Sequence, residues 1–222
     1  MVLPATGQSV SAQRVLVTGF DPFGGDSVNP SWLAAQALHG RTIAGHRIVA
    51  AQLPCVFGDS LSVLRDLLAR HQPALVVCLG QAGGRAALSL ERVAINVNDA
   101  RIPDNALRQP VDTPVDGDGP AAYFTTLPIK AMMLAMRDAG VAADVSQTAG
   151  TFVCNHVFYG LMHALAGLGL TGTRGGFVHV PWLPEQGTPS MSLEGMVKGL
   201  RAGLEAALLT QTDVAAGAGA NH

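Results

Sequence analysis

The chain has 222 residues, of which 48% are hydrophobic and 14% charged. A single α/β domain of this length buries roughly 70% of its unfolded surface, so neither a disulfide nor a metal is needed to hold it. This balance, with a mean hydropathy of +0.29, excludes a disordered chain. With 14 Lys plus Arg against 16 Asp plus Glu and no basic run, nucleic acid and anionic membranes have no electrostatic motive to bind.

Apolar stretches are broken by Gly, Pro or charge before they reach bilayer length. The opening MVLPATGQSVSAQR lacks the basic start and apolar core of a signal peptide. Three cysteines, an odd count, speak for reduced thiols. These features lead to the expectation of a cytoplasmic globular protein.

In chain order, residues 14–19 (RVLVTG) form a β-branched run ending at glycine, the pattern of a buried strand. After the loop FDPFGGDSVNP, SWLAAQAL predicts a helix with Asn29 as N-cap and Pro30 in its first turn. A strand follows over 47–53. A helix over 60–71 places Leu61, Leu64, Leu67 and Leu68 on one face. A strand over 74–79 runs into GQAGGR. Residues 88–97 alternate as one strand, and 99–120 form a long ordered loop rich in proline and acidic residues. A helix over 129–139, a strand over 144–148, a helix over 154–168, a strand over 177–180 and a helix over 193–209 complete the pattern. It predicts a single-domain α/β/α sandwich with a mainly parallel twisted sheet. Residues 1–13 read as an N-terminal extension, 14–211 as the domain and 212–222 as a flexible tail.

Open α/β sheets bind ligands beyond the carboxyl ends of their strands, which directs attention to the loops GFDPFGG, GQAGGR and AGTFVCNH. Neither glycine loop completes a nucleotide-binding motif. Cys154 opens a helix, where unpaired N–H groups and the helix dipole favour thiolate, so its pKa is expected to fall. Taken alone, a buried structural cysteine is the commoner case, and Cys55 and Cys78 are read that way. A cysteine nucleophile needs a base. His156, two residues along the helix, points away from Cys154. His179, in GGFVHVP near the end of a buried strand, lies at the right edge, against the alternative of a core histidine. Glu91, in the apolar stretch LSLERVAIN, is the candidate to orient it, against the alternative of a solvated strand edge bridged to Arg85 or Arg92.

The stretches VLVTGFDPFGG, GQAGGRAALSLERVAINVNDARIPDN, SQTAGTFVCNHVFYGLMHAL and GGFVHVPWLPEQ resemble the pyroglutamyl peptidase I family. The likeness covers about residues 14–209. It implies a cytoplasmic cysteine peptidase, often a homotetramer, that removes N-terminal pyroglutamate from peptides without a metal or organic cofactor. It also implies Cys154, His179 and Glu91 as the triad, Phe20, Phe23 and Phe152 as the pocket lining, and Gln81 as a backbone contact to the lactam. The oxyanion would be held by Arg101 and the Cys154 N–H. Cys55 stands where the family often has a small hydroxyl residue on the pocket rim. Other classes to separate are a related amidohydrolase or acyltransferase, and a small-ligand or redox-sensing protein without turnover.

Overall fold

Val15, Leu16 and Val17 are buried on both sides of the first strand because helices cover both faces of the sheet it enters. The structure is a computed structural model that describes residues 13–167 and 172–219; the extension proposed for 1–13 falls outside it except for residue 13. In chain order the elements are β1 (Arg14–Phe20), α1 (Pro30–Leu38), β2 (Thr42–Ile43), β3 (His46–Leu53), α2 (Asp59–His71), β4 (Leu75–Gln81) and β5 (Leu88–Glu91). They continue with β6 (Val93–Ile95), β7 (Ala122–Phe124), α3 (Ile129–Asp138), β8 (Ala143–Ser146), α4 (Val153–Gly167), β9 (Arg174–Val180) and α5 (Leu193–Leu209). Leu168, expected to close the fourth helix, lies outside the described residues.

Seven strands form one sheet in the order β2-β3-β1-β4-β9-β5-β8. Leu38, Met132, Met196 and Leu200 of α1, α3 and α5 pack on one face with Val15, Val77 and Val178. Leu61, Leu64, Phe158 and Leu161 of α2 and α4 pack on the other with Leu16, Val76 and Phe177. At the first turn of α1, the Asn29 side chain accepts the Ser31 N–H at 3.0 Å, as expected of an N-cap. Helix and strand meet closely there. A Cβ on Gly19 would lie 2.5 Å from the Ser31 carbonyl carbon.

β3, β1, β4 and β9 run parallel, whereas β5 pairs antiparallel with β9 and parallel with β8. The sheet is therefore mixed, though still mainly parallel. Residues 82–87 are too few for the helical crossover that a parallel return needs, so β5 comes back in the opposite direction. The single strand expected over 88–97 is split. The Arg92 N–H donates to Ser146 O in the main sheet while its carbonyl accepts from Thr125 N, and β6 then pairs with β7 in a separate two-stranded sheet.

The long segment after β6 is an ordered arm. Asn98 and Thr113 exchange two backbone hydrogen bonds, at 2.7 and 3.0 Å. Asp104 is buried and accepts the N–H groups of Phe57, Ala106 and Arg108. Of the segment expected as a flexible tail, 212–219 lies within the described residues, and Asp213 there contacts α3. Both carboxylate oxygens of Asp213 accept first-turn N–H groups of α3, those of Lys130 and Ala131. This satisfies donors that the Pro128 cap has no side chain to bind. Among the described residues no helix is long and apolar enough to cross a membrane.

Candidate active site

Strand alternation decides which side chains meet. Leu90 and Val178 belong to the α1/α3/α5 face, so Glu91 and His179, one residue further along, point to the α2/α4 face. Ser89 stands opposite His179 and Leu90 opposite Val178, which makes Glu91 a diagonal neighbour of the histidine, within reach of a long side chain. His179 Nδ1 donates to Glu91 Oε1 at 2.8 Å. Both residues are buried, Glu91 at 0% exposure and His179 at 4%. With Nδ1 committed to the carboxylate, Nε2 is the nitrogen left with a lone pair.

Cys154 reaches the same place from the helix layer. α4 leads into β9 and runs back along it, with Leu161 and Leu165 against Gly175 near the start of that strand and Cys154 at the far end. Because β8 runs opposite to β9, the carboxyl end of β8 does not deliver Cys154 to the site; the direction of α4 does. Its sulfur lies over Gly80, which pairs with His179 across the β4–β9 ladder. A Cβ on Gly80 would lie 2.7 Å from Cys154 Sγ. As the second residue of α4, Cys154 has an N–H with no acceptor within the helix.

The expected lowering of the Cys154 pKa is overturned. The residue keeps some exposure, but its sulfur is packed against Gly80. Burial first, then the nearby Glu91 carboxylate, push the thiol up from 9.0 to about 12, and Arg85 offsets only part of this. The helix dipole is a modest influence by comparison. Cys154 therefore rests as a neutral thiol. Cys55 and Cys78 are also buried and free, and burial raises both, Cys78 to about 12.

Two of the three expected pocket phenylalanines come together. Phe23 and Phe152 have ring centroids 5.9 Å apart. Phe20, only 2% exposed, instead lies in the floor against Phe177 at 6.5 Å, and Phe177 in turn packs on the His179 ring at 4.9 Å. Phe57 joins the aromatic wall, edge-on to Phe152 at 5.4 Å. The side chain of Gln81, at the end of β4, donates to Asp26 Oδ2 at 3.0 Å and accepts from Gln186 at 3.3 Å, tying three rim loops together. Arg101 is exposed on the arm and makes no side-chain hydrogen bond or ion pair among the described residues. No group of three or more His, Cys, Asp or Glu among the described residues is placed to hold a metal ion.

A family model described as pyroglutamyl peptidase matches residues 13–210. The chain belongs to the pyroglutamyl peptidase family. The pyrrolidone-carboxylate peptidase of Cupriavidus taiwanensis is 59% identical over 213 residues, which span 94% of this chain and 99% of that protein. The protein of the same name from Streptomyces coelicolor is 58% identical, with 94% and 99% covered. Crystalline pyroglutamyl peptidase I from Bacillus amyloliquefaciens superimposes with a TM-score of 0.89 at 48% identity, covering 91% of this chain and 100% of that one. A variant pyrrolidone carboxyl peptidase from Pyrococcus furiosus gives 0.86 at 40% identity, with 89% and 99% covered.

In this pyroglutamyl peptidase family member, several residues that sequence reasoning passed over hold the site in place. The Asn155 side chain accepts Ile95 N–H at 3.0 Å and donates to Ile95 O and Val97 O, both at 2.9 Å. His156 Nε2 accepts Gly58 N–H at 2.9 Å, so its Nδ1 donates to Asn98 Oδ1 at 3.0 Å. Burial pushes His156 down to about 4, with Arg65 adding to the effect, and the ring stays neutral against Phe57. The signal for Phe57 was its place in PCVFGD, just beyond the carboxyl end of β3. Asn155 and His156 gave a weaker signal, as two polar residues on an otherwise apolar helix.

Proposed function

We propose that this chain hydrolyses the amide bond following an N-terminal pyroglutamyl residue, with Cys154 as nucleophile, His179 as general base and acid, and Glu91 orienting the imidazole. The observation that carries the reading is the 2.8 Å hydrogen bond from His179 Nδ1 to the buried Glu91, on the sheet face where Cys154 Sγ overlies Gly80. Membership of the pyroglutamyl peptidase family supports the substrate class.

The thiol is neutral at rest, so attack and deprotonation go together. His179 Nε2 takes the Sγ proton as sulfur adds to the pyroglutamyl carbonyl. The oxyanion lies at the start of α4, where the Cys154 N–H has no acceptor among the described residues, and Arg101 is the candidate side chain to reach it. Collapse transfers the proton from His179 to the departing amine and leaves a thioester. Water, deprotonated by the same imidazole, then releases pyroglutamate. The wall of Phe23, Phe57 and Phe152 suits the flat, neutral lactam, whereas a cationic N-terminus buried there would lie unpaired at a cost of several kcal/mol, even after relaxation.

The test is initial-rate hydrolysis of pyroglutamyl, prolyl and glutaminyl amides. A preference of about a thousandfold for the pyroglutamyl substrate is expected, and similar kcat/KM for all three would overturn the pocket assignment. Cys154→Ala should abolish turnover, His179→Ala should reduce it by several orders of magnitude, and Glu91→Gln should retain more, because an amide oxygen still accepts from Nδ1. Added acceptor amines would expose an acyltransferase, and binding without turnover a ligand sensor. Cytoplasmic location and a homotetramer are part of the same proposal. Sedimentation equilibrium tests the assembly.

A further inference from the structure

Arg85 is the only charged residue of the 82–87 loop, and its side chain turns back onto the triad. Arg85 Nη1 donates to Glu91 Oε1 at 2.8 Å, the same oxygen that accepts His179 Nδ1 at 2.8 Å. Glu91 Oε2 has no hydrogen-bond partner among the described residues. The guanidinium also reaches Thr148 O at 3.3 Å and Ser146 Oγ at 3.5 Å, which fixes its plane between β5 and the loop that leads to α4. Arg85 is a third exposed and Glu91 wholly buried.

A buried carboxylate is stable as an anion only if paired. His179 offers Glu91 a hydrogen bond through Nδ1, but an imidazole is not a permanent charge. The guanidinium is the only permanently charged group in contact with that carboxylate among the described residues. We propose that Arg85 is a positioning residue of the triad: it shares Glu91 Oε1 with His179 and acts as the carboxylate's standing counterion, so Glu91 orients the imidazole without holding its proton too tightly. The inference rests on the peptidase reading only for its rate measurement.

The groups facing His179 come from every neighbouring element. β5 supplies Glu91, the 82–87 loop supplies Arg85 through that carboxylate, α4 supplies Cys154, and β4 carries the buried Cys78 on the same face, two residues before the Gly80 that pairs with His179. Asp26 on the β1–α1 loop is engaged at the rim by Gln81 and Gln186. Removing the guanidinium leaves an uncompensated negative charge against the imidazole. His179 then binds a proton at Nε2 at higher pH and cannot accept the one on Cys154.

The experiment is an NMR titration of the His179 ring in the full chain, in the parent and in Arg85→Gln, together with pH profiles of kcat/KM. In Arg85→Gln the ring midpoint should rise by about one pH unit. The acid limb of kcat/KM should move with it, giving about a tenfold loss below the midpoint that is recovered at higher pH. Arg85→Lys should return both toward the parent. An unchanged ring midpoint in folded Arg85→Gln overturns the proposal, as does a loss of rate equal at every pH. Should Arg85→Gln lose cooperative thermal unfolding, Arg85→Met, of similar length, takes the same titration; unfolding of both would make Arg85 a structural residue and also overturn it. The ring titration does not depend on turnover, so a failure of the peptidase reading would be seen separately.

Discussion

Gly80 lies directly beneath Cys154: a Cβ added there would stop 2.7 Å from the sulfur and 2.7 Å from Phe177 Cζ. The backbone at Gly80 is not in the left-handed region, so alanine meets no conformational barrier and the obstacle is contact alone. Gly80→Ala should lower kcat/KM for a pyroglutamyl amide by at least about a hundredfold, while overpacking costs about 1–3 kcal/mol of stability. Steady-state kinetics beside thermal unfolding checks this. Parent-like kcat/KM would mean that the sulfur does not work from over this strand.

Reactivity of the thiol should follow its burial. With Cys154 pushed up to about 12 by burial and by Glu91, the iodoacetamide labelling rate of the free enzyme should still be rising at pH 9. Mass spectrometry of labelled peptides would separate Cys154 from Cys55 and Cys78. A labelling midpoint below pH 7 would show a resting thiolate and contradict this assignment.

Phe20 and Phe23 should respond differently to truncation. Phe20 is fully packed against Phe177, so Phe20→Ala should cost about 3–5 kcal/mol of stability. Phe23 is half-buried beside Phe152, so Phe23→Ala should chiefly raise KM. Denaturant unfolding and Michaelis kinetics on both variants distinguish the floor from the wall. Equal KM effects with no loss of stability in Phe20→Ala would place Phe20 in the wall after all.

His156 should make the fold sensitive to acid. Its ring is held neutral in the native state at about 4 against an ordinary 6.5, so the unfolded chain binds the proton first as pH falls. Stability is full above about pH 6.5 and declines toward pH 4, by about 3 kcal/mol in all. His156→Gln should be less stable at pH 7, having lost two hydrogen bonds, but should show a flatter decline from pH 6.5 to 4. Parallel stability curves for parent and variant would assign the acid sensitivity elsewhere.

Much of this was legible in the sequence because it is local. The β-branched run of β1, the Asn29-Pro30 helix start and the single face of α2 are patterns within a few residues, and they appear where expected. Cys154, His179 and Glu91 could be singled out because each departs from its surroundings. What was hidden is relational. A period of two marks a strand but carries no direction, so the reversal of β5 and β8 could not be read. The break at Arg92 depends on partners in two different sheets. The raised Cys154 thiol reflects packing against Gly80 and the nearness of Glu91, which outweigh the helix start visible in the sequence. Phe20 and Phe23 belong to one motif, yet strand alternation sends the first into the floor while the second sits on the loop.

The order β2-β3-β1-β4-β9-β5-β8 has a further consequence for how activity can arise during synthesis. β9 is the last strand in the chain but lies between β4 and β5. Until it is made, the sheet exists as two separate pieces, one carrying Gly80 and the other Glu91, and His179 is absent from both. Cys154 itself is made only shortly before His179, so for most of its time on the ribosome the nascent chain holds neither residue. Insertion of one strand joins the two halves and brings in the imidazole together, so closure of the sheet and the meeting of Glu91, Cys154 and His179 are a single event, with α5 still to pack.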